Sequence, residues 1–276
     1  MLLCGGIDFR LSDLGDVASS CENDQQAYQI LAAKNIGLPY LDGSEQEVDS
    51  IALLRHVGTD SIALLRHVGT DCLLRGSEAT ESAVRQLMEH YNVLHFSTHG
   101  YCAEASNAGS DIRPMDSDTQ LSQSCLFLAG AEHNLHTAAF DTSQPDGILS
   151  ARELAGHDLS GVDLAVLSAC QSGVGALTID GIFGLQRGLK TAGVGAIVAS
   201  LWSVDDQATV TLMQELHRNL QTGMPLHDAF QQARQTLRTV ESLRIRRRPG
   251  LRPFVYPIVY DQPRYYDAFI LIDGLE

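Results

Sequence analysis

Six short apolar runs punctuate the chain, at Leu2–Asp8, Val93–His99, Cys125–Ala129, Leu164–Ala169, Ala196–Trp202 and Ala268–Ile272. Most are continuous rather than alternating, which is the pattern of strands covered on both faces, as in a parallel sheet. The segments between them carry helical signals. Ser150-Ala151-Arg152-Glu153 has the spacing of a capping box, and Ile182, Leu185 and Leu189 form an apolar stripe that stops at Gly193. Pro225 suits the first turn of a helix whose apolar face is Leu226, Phe230, Ala233 and Leu237. The alternation predicts an α/β fold with a mostly parallel sheet of about six strands, formed by a single domain over 1–276.

One segment breaks this order. Residues 50–60 read SIALLRHVGTD, and residues 61–71 repeat the same eleven letters. A diverged structural repeat would share a pattern rather than every residue, so this is a recent duplication or a sequence-assembly artefact. Eleven residues at about 100° each return a helix close to its starting face, so one extended helix is sterically allowed. Gly58-Thr59-Asp60-Ser61 instead has the form of a helix stop followed by an N-cap. Either way the second copy is expected to add length without matching core, leaving one copy's apolar side chains more exposed than the other's. Two further segments, 10–25 and 104–124, are rich in Ser, Asp and Asn and read as loops, and the basic cluster Arg244–Gly250 reads as a solvated turn before the last strand.

Charge narrows the range of partners. With 19 Lys and Arg against 34 Asp and Glu the formal charge is −15, so most of the exterior repels nucleic acid. No run approaches the roughly 20 apolar residues that span a bilayer, and MLLCGGIDF lacks the basic start of a secretion signal. The six cysteines lie far apart without a CxxC pair, which reads as free thiols in a reducing, cytoplasmic setting. The glycines Gly173, Gly175 and Gly181 are not followed by Lys-Ser or Lys-Thr, so they make no phosphate loop.

The candidate chemistry sits where two of the strands end. VLHFSTHG closes on His99-Gly100, and DLAVLSACQSG places Cys170 after an apolar run and before small residues. Carboxyl ends of parallel strands are where reacting groups gather in open α/β sheets. A thiol attacks a carbonyl as the thiolate, so it needs a base nearby, and His99 is the natural choice for Cys170. The backbone N–H groups of Gly100 and Cys170 are available to an oxyanion. His95, four residues before His99, could share its side of the strand, but a metal site would need further ligands that the sequence does not supply. Asp205 and Asp206 directly precede Gln207-Ala208-Thr209, where a helix begins, so they read first as capping residues and second as an acidic pocket; Asp180 has the same two readings.

At these residues the chain resembles the CHAT domains, a branch of the caspase-like clan CD cysteine peptidases often fused to TPR repeats. The resembling segments run in order: EQEVDSI, LLRGSEATESAV, VLHFSTHG, DGILSARELAG, DLAVLSACQSG, DGIFGLQRGL, AIVASLWSVDDQAT and YYDAFILID. The resemblance implies a caspase-like three-layer sandwich and a cysteine endopeptidase acting on a polypeptide, with His99 as base and Cys170 as nucleophile. It places Gly100 and Cys170 at the oxyanion hole and the strand through Ser200, Leu201 and Trp202 beside the substrate backbone. It calls for no metal and no organic cofactor, and it implies activation by a protein partner or an attached TPR sensor. A catalytically silent caspase-like scaffold is the alternative. The second SIALLRHVGTD copy departs from the family pattern, and the TPR array common in the family is absent from the sequence.

Overall fold

The structure is a computed structural model that describes residues 1–10, 37–57, 71–102, 121, 124–137, 145–169, 179–202, 205–246 and 254–273. Its centre is a six-stranded sheet built from β1 (Leu2–Ile7), β2 (Cys72–Gly76), β3 (Val93–Thr98), β7 (Leu164–Ala169), β8 (Ala196–Ser200) and β11 (Phe269–Ile272). The spatial order is β11-β8-β7-β3-β1-β2, every neighbouring pair being parallel except β11 with β8. The two strands with the candidate chemistry, β3 and β7, are therefore adjacent and central.

Helices cover both faces. On one lie α1 (Asp42–Val57), α6 (Asp206–Gln221) and α7 (Leu226–Thr239), which bring Val48, Ile51, Leu212, Met213, Leu216, Phe230 and Leu237 against Leu3, Val166 and Val198 of the sheet. On the other lie α2 (Glu81–Leu87), α3 (Ala131–Thr137), α4 (Ala151–Ala155) and α5 (Ile179–Thr191), with Val84, Leu135, Leu154, Leu185 and Leu189 in one core with Leu2, Leu94, Phe96, Ala165 and Ile197. That core also takes in a small antiparallel sheet of β4 (Gly100–Cys102), β5 (Ser124–Phe127) and β6 (Ile148–Ser150). A hairpin of β9 (Glu241–Arg246) and β10 (Phe254–Val259) and a short helix α8 (Pro263–Tyr266) complete the fold. The layering is that of a caspase-like sandwich. Among the described residues no helix is long and apolar enough to cross a membrane.

Local chemistry accounts for the element boundaries. The Ser150 side chain accepts from Glu153 N–H while the Glu153 carboxylate takes Ser150 N–H, closing the expected capping box at α4. Asp205 caps α6 by accepting from Ala208 N–H at 3.1 Å. Gly193, with φ of 102°, turns the chain out of α5 in a conformation that L side chains rarely adopt. At Gly5 a Cβ would lie 2.7 Å from a Val48 methyl and 2.9 Å from the Ser44 hydroxyl, so glycine lets α1 press directly on β1.

Three expectations change. The run Cys125–Ala129 is not a strand of the main sheet; it supplies β5 of the small sheet, and the sixth place is taken by β2. The β2 segment is an edge strand in which Arg75 is exposed and Cys72, Leu73 and Gly76 are half-buried, so its apolar signal is weak. Arg244 and Arg246 are not in a turn, because strand pairing with β10 reaches Arg246↔Phe254; residues 247–253 lie outside the described ones. Pro225 stands at the N-cap of α7 with ψ of 145°, one residue ahead of the helix. The duplicated segment falls mostly outside the described residues. The first copy forms the end of α1, with Ile51 buried and Leu53 68% exposed, while residues 58–70 are not described.

Candidate active site

The register of β3 on β7 runs Val93↔Leu164 to Thr98↔Ala169. The next residues along the two chains are His99 and Cys170. Cys170 itself lies outside the described residues, and so do Ala169's side chain and the loop after it. His99 is fully buried, with its ring tilted against Phe9 at 5.0 Å between centroids. Its Nε2 lies 2.8 Å from the Pro39 carbonyl. A carbonyl can only accept, so in the neutral ring Nε2 carries the proton and Nδ1 is the basic nitrogen.

Gly100 begins β4 opposite Leu126. The bond from Phe127 N–H to His99 O, at 2.9 Å, makes Gly100 and Leu126 a non-hydrogen-bonded pair, so Gly100 N–H points away from β5. Ser200 is buried at the end of β8, opposite Phe269 of β11. Leu201 N–H is taken by Ala268 O at 2.7 Å, and the half-exposed Trp202 donates its indole N–H to Arg264 O at 3.0 Å. Asp180 lies in the first turn of α5, with its side chain outside the described set. Asp206 opens α6, and its side chain occupies the space into which a Cβ on Gly43 would project, at 2.6 Å. That placement sets a carboxylate against the first turn of α1, where a helix favours negative charge.

Directly behind His99 is a polar cluster that sequence reasoning missed. Ser97 pairs in register with Ser168, and both hydroxyls donate to Glu47 Oε2 of α1, at 2.7 and 2.9 Å. The other oxygen, Oε1, meets His95 Nε2 at 2.8 Å, and His95 Nδ1 meets His217 Nε2 of α6 at 3.0 Å. Ser44 accepts from Gly6 N–H and donates to Ser97 O, tying α1 to β1 and β3. Every member of this set is buried, and burial together with His95 drives the His217 pKa well below its ordinary value. One carboxylate thus grips both central strands two residues before His99 and Cys170. The available signal was the polar residues His95, Ser97 and Ser168 on alternate positions of otherwise apolar strands.

The described thiols do not compete equally as nucleophiles. Among the described residues Cys4, Cys72 and Cys125 form no disulfide, and burial pushes the Cys4 pKa up to about 12.

An α/β sandwich with a histidine at the carboxyl end of one central strand, and a cysteine next in line on its neighbour, defines the class of caspase-like proteins. The chain belongs to the CHAT domain family, whose model matches residues 12–273, nearly its whole length. A search of curated proteins finds no match.

Proposed function

We propose that the chain is a cysteine endopeptidase, with His99 as general base, Cys170 as nucleophile, and the N–H groups of Gly100 and Cys170 as oxyanion donors. The observation that carries this reading is the β3–β7 register, which ends at Thr98↔Ala169 with His99 and Cys170 next in each chain. The Pro39 carbonyl supports it by holding the His99 tautomer with Nδ1 basic, and an imidazolium formed at His99 would keep that hydrogen bond. Attack by the thiolate on a peptide carbonyl would then place negative charge on oxygen within reach of N–H donors at the two strand ends. The substrate is a polypeptide, no metal or organic cofactor enters the scheme, and the setting is cytoplasmic.

Full burial of His99 supports a second element of the proposal. A base with no exposed surface must be uncovered before substrate reaches it, which favours restraint by a protein partner or an attached sensor. The same burial favours the second reading, a silent scaffold that keeps the fold for protein interaction. An irreversible cysteine-reactive peptide probe separates the two. Modification at Cys170 that disappears in His99→Ala supports the peptidase. No modification of folded protein, alone or with its partner, supports the scaffold.

A further inference from the structure

On the face of the sheet opposite α1, three carboxyl groups meet in the interior where α2, α4 and the residues leading into β6 converge. Glu81 is 1% exposed and Asp146 6%, and only 9% of the Glu153 side chain reaches solvent. Hydrogen-bond donors are divided unequally among them. Glu81 takes the Arg85 guanidinium at 3.0 Å on one oxygen and the N–H groups of Asp146 and Gly147, at 2.7 and 3.0 Å, on the other. Glu153 takes Ser150 N–H and Oγ–H, both at 2.8 Å, and the same guanidinium at 3.4 Å. Asp146 receives Ile148 N–H at 2.8 Å on Oδ1, while its Oδ2 is buried with no hydrogen-bond partner among the described residues.

What faces Asp146 is another acceptor. The Glu81 carboxyl of α2 stands against it, and Glu153 of α4 adds further negative charge. Arg85 of α2 bridges those two glutamates, and α3 supplies the uncharged Asn134, whose Nδ2 donates to Asp146 O at 2.6 Å. Buried carboxylates in one site repel strongly when both are ionised, and the one with the fewest donors keeps the proton. Burial, then the Glu81 carboxylate, raises the Asp146 pKa well above its ordinary value. A proton on Oδ2 turns the unpartnered oxygen into a donor that Glu81 accepts, so one proton satisfies both groups.

We propose that a proton shared between Asp146 and Glu81 is a latch that joins the first turn of α2 to the residues leading into β6, and that its loss releases them. The strand β6 is the outer one of the small sheet, whose other edge, β4, begins at Gly100. The latched segment has no slack, because Gly147 sits at φ of 82° where a Cβ would lie 2.7 Å from Ala131 N. Without the proton two negative charges face each other in the interior, and the segment opens to hydrate them. A raised pKa in the closed state means that the latch is complete at low pH and weakens as pH rises.

The test is a pH titration of the ¹³C-labelled chain by NMR, with the Asp146 carboxyl assigned through its own β protons. That carboxyl should remain protonated past neutrality, and titration near the ordinary aspartate value of about 4 would overturn the proposal. Amide exchange gives the second readout, at Gly147 and Ile148. Between about pH 5 and 7 their protection factors should fall roughly tenfold more per pH unit in the unmodified chain than in Asp146→Asn, whose amide donates to Glu81 without titrating. Equal slopes in the two proteins would overturn the latch. Should the asparagine variant not fold, the carboxyl titration of the unmodified chain decides alone. Peptide cleavage plays no part in either readout, so failure of the peptidase reading would leave this result standing.

Discussion

Glu47 and His95 meet at 2.8 Å in the interior, between α1 and the middle of β3, and the same carboxylate takes the hydroxyls of Ser97 and Ser168 on its other oxygen. Three donors on one buried side chain make Glu47 the fastening point of the two strands whose ends carry His99 and Cys170.

Removing that fastening should be expensive. Glu47→Ala leaves three buried donors without an acceptor and is expected to cost about 3–5 kcal/mol in urea denaturation. Glu47→Gln should fall between the alanine variant and the parent, because its amide keeps one acceptor and turns an NH₂ toward groups that are themselves donors. A loss below about 1 kcal/mol for the alanine variant would show that the cluster is not structural in this sense.

The proposed chemistry makes a sharper demand on one atom. Cys170→Ala is expected to abolish peptide-bond cleavage while leaving the circular dichroism spectrum and melting temperature nearly unchanged, since the change removes the nucleophile and little volume. Turnover near the parent rate would refute the assignment. Labelling should be read on a Cys72→Ser background, because Cys72 forms no disulfide among the described residues and is only partly buried, whereas the raised pKa of Cys4 keeps it inert.

A third expectation concerns acid groups on the other face. Burial, then the neighbouring Glu81 carboxylate, raises the Glu153 pKa from 4.5 to about 7. The folded state therefore binds more protons than the unfolded chain between those values, so this group's stabilisation is complete below about pH 4.5 and is lost as pH rises through about 7. Glu153→Gln keeps the capping-box geometry at Ser150 but cannot ionise. Relative to the parent it should gain on the order of 2 kcal/mol on going from pH 4.5 to 8. His217 shifts in the opposite direction, but it is common to both proteins and cancels in the difference. A pH-independent difference in melting temperature would show that Glu153 titrates normally.

The duplicated segment gives a fourth. Arg55 near the end of α1 is ion-paired with Asp71, which directly precedes β2 and also binds the chain's amino terminus at 2.9 Å. Deleting 61–71 leaves an identical Gly58-Thr59-Asp60 leading into Cys72, so Asp60 inherits the position of Asp71. The deletion should keep or raise the melting temperature and preserve Cys170 reactivity, with loop shortening adding a fraction of a kcal/mol. A large loss of stability would mean that both copies are built into the core.

The apolar runs by themselves determined the α/β class and five of the six strands of the main sheet, because a strand buried on both faces must be apolar at every position. The capping box at Ser150 and the Asp205 cap were equally legible, since a helix N-terminus needs an acceptor within three residues and that requirement is local. Locality also explains the failures. The Cys125–Ala129 run and the β2 edge exchanged sheets because apolar character says that a strand is covered, not which neighbour covers it. The Glu47 cluster needed the tertiary structure outright, as its members lie 48 to 122 positions apart in the hydrogen bonds that join them. No spacing rule brings α1, β3, β7 and α6 to one point; only the stacking of α1 and α6 on adjacent central strands does, and that stacking turned buried polar residues that look like defects in apolar elements into a satisfied network.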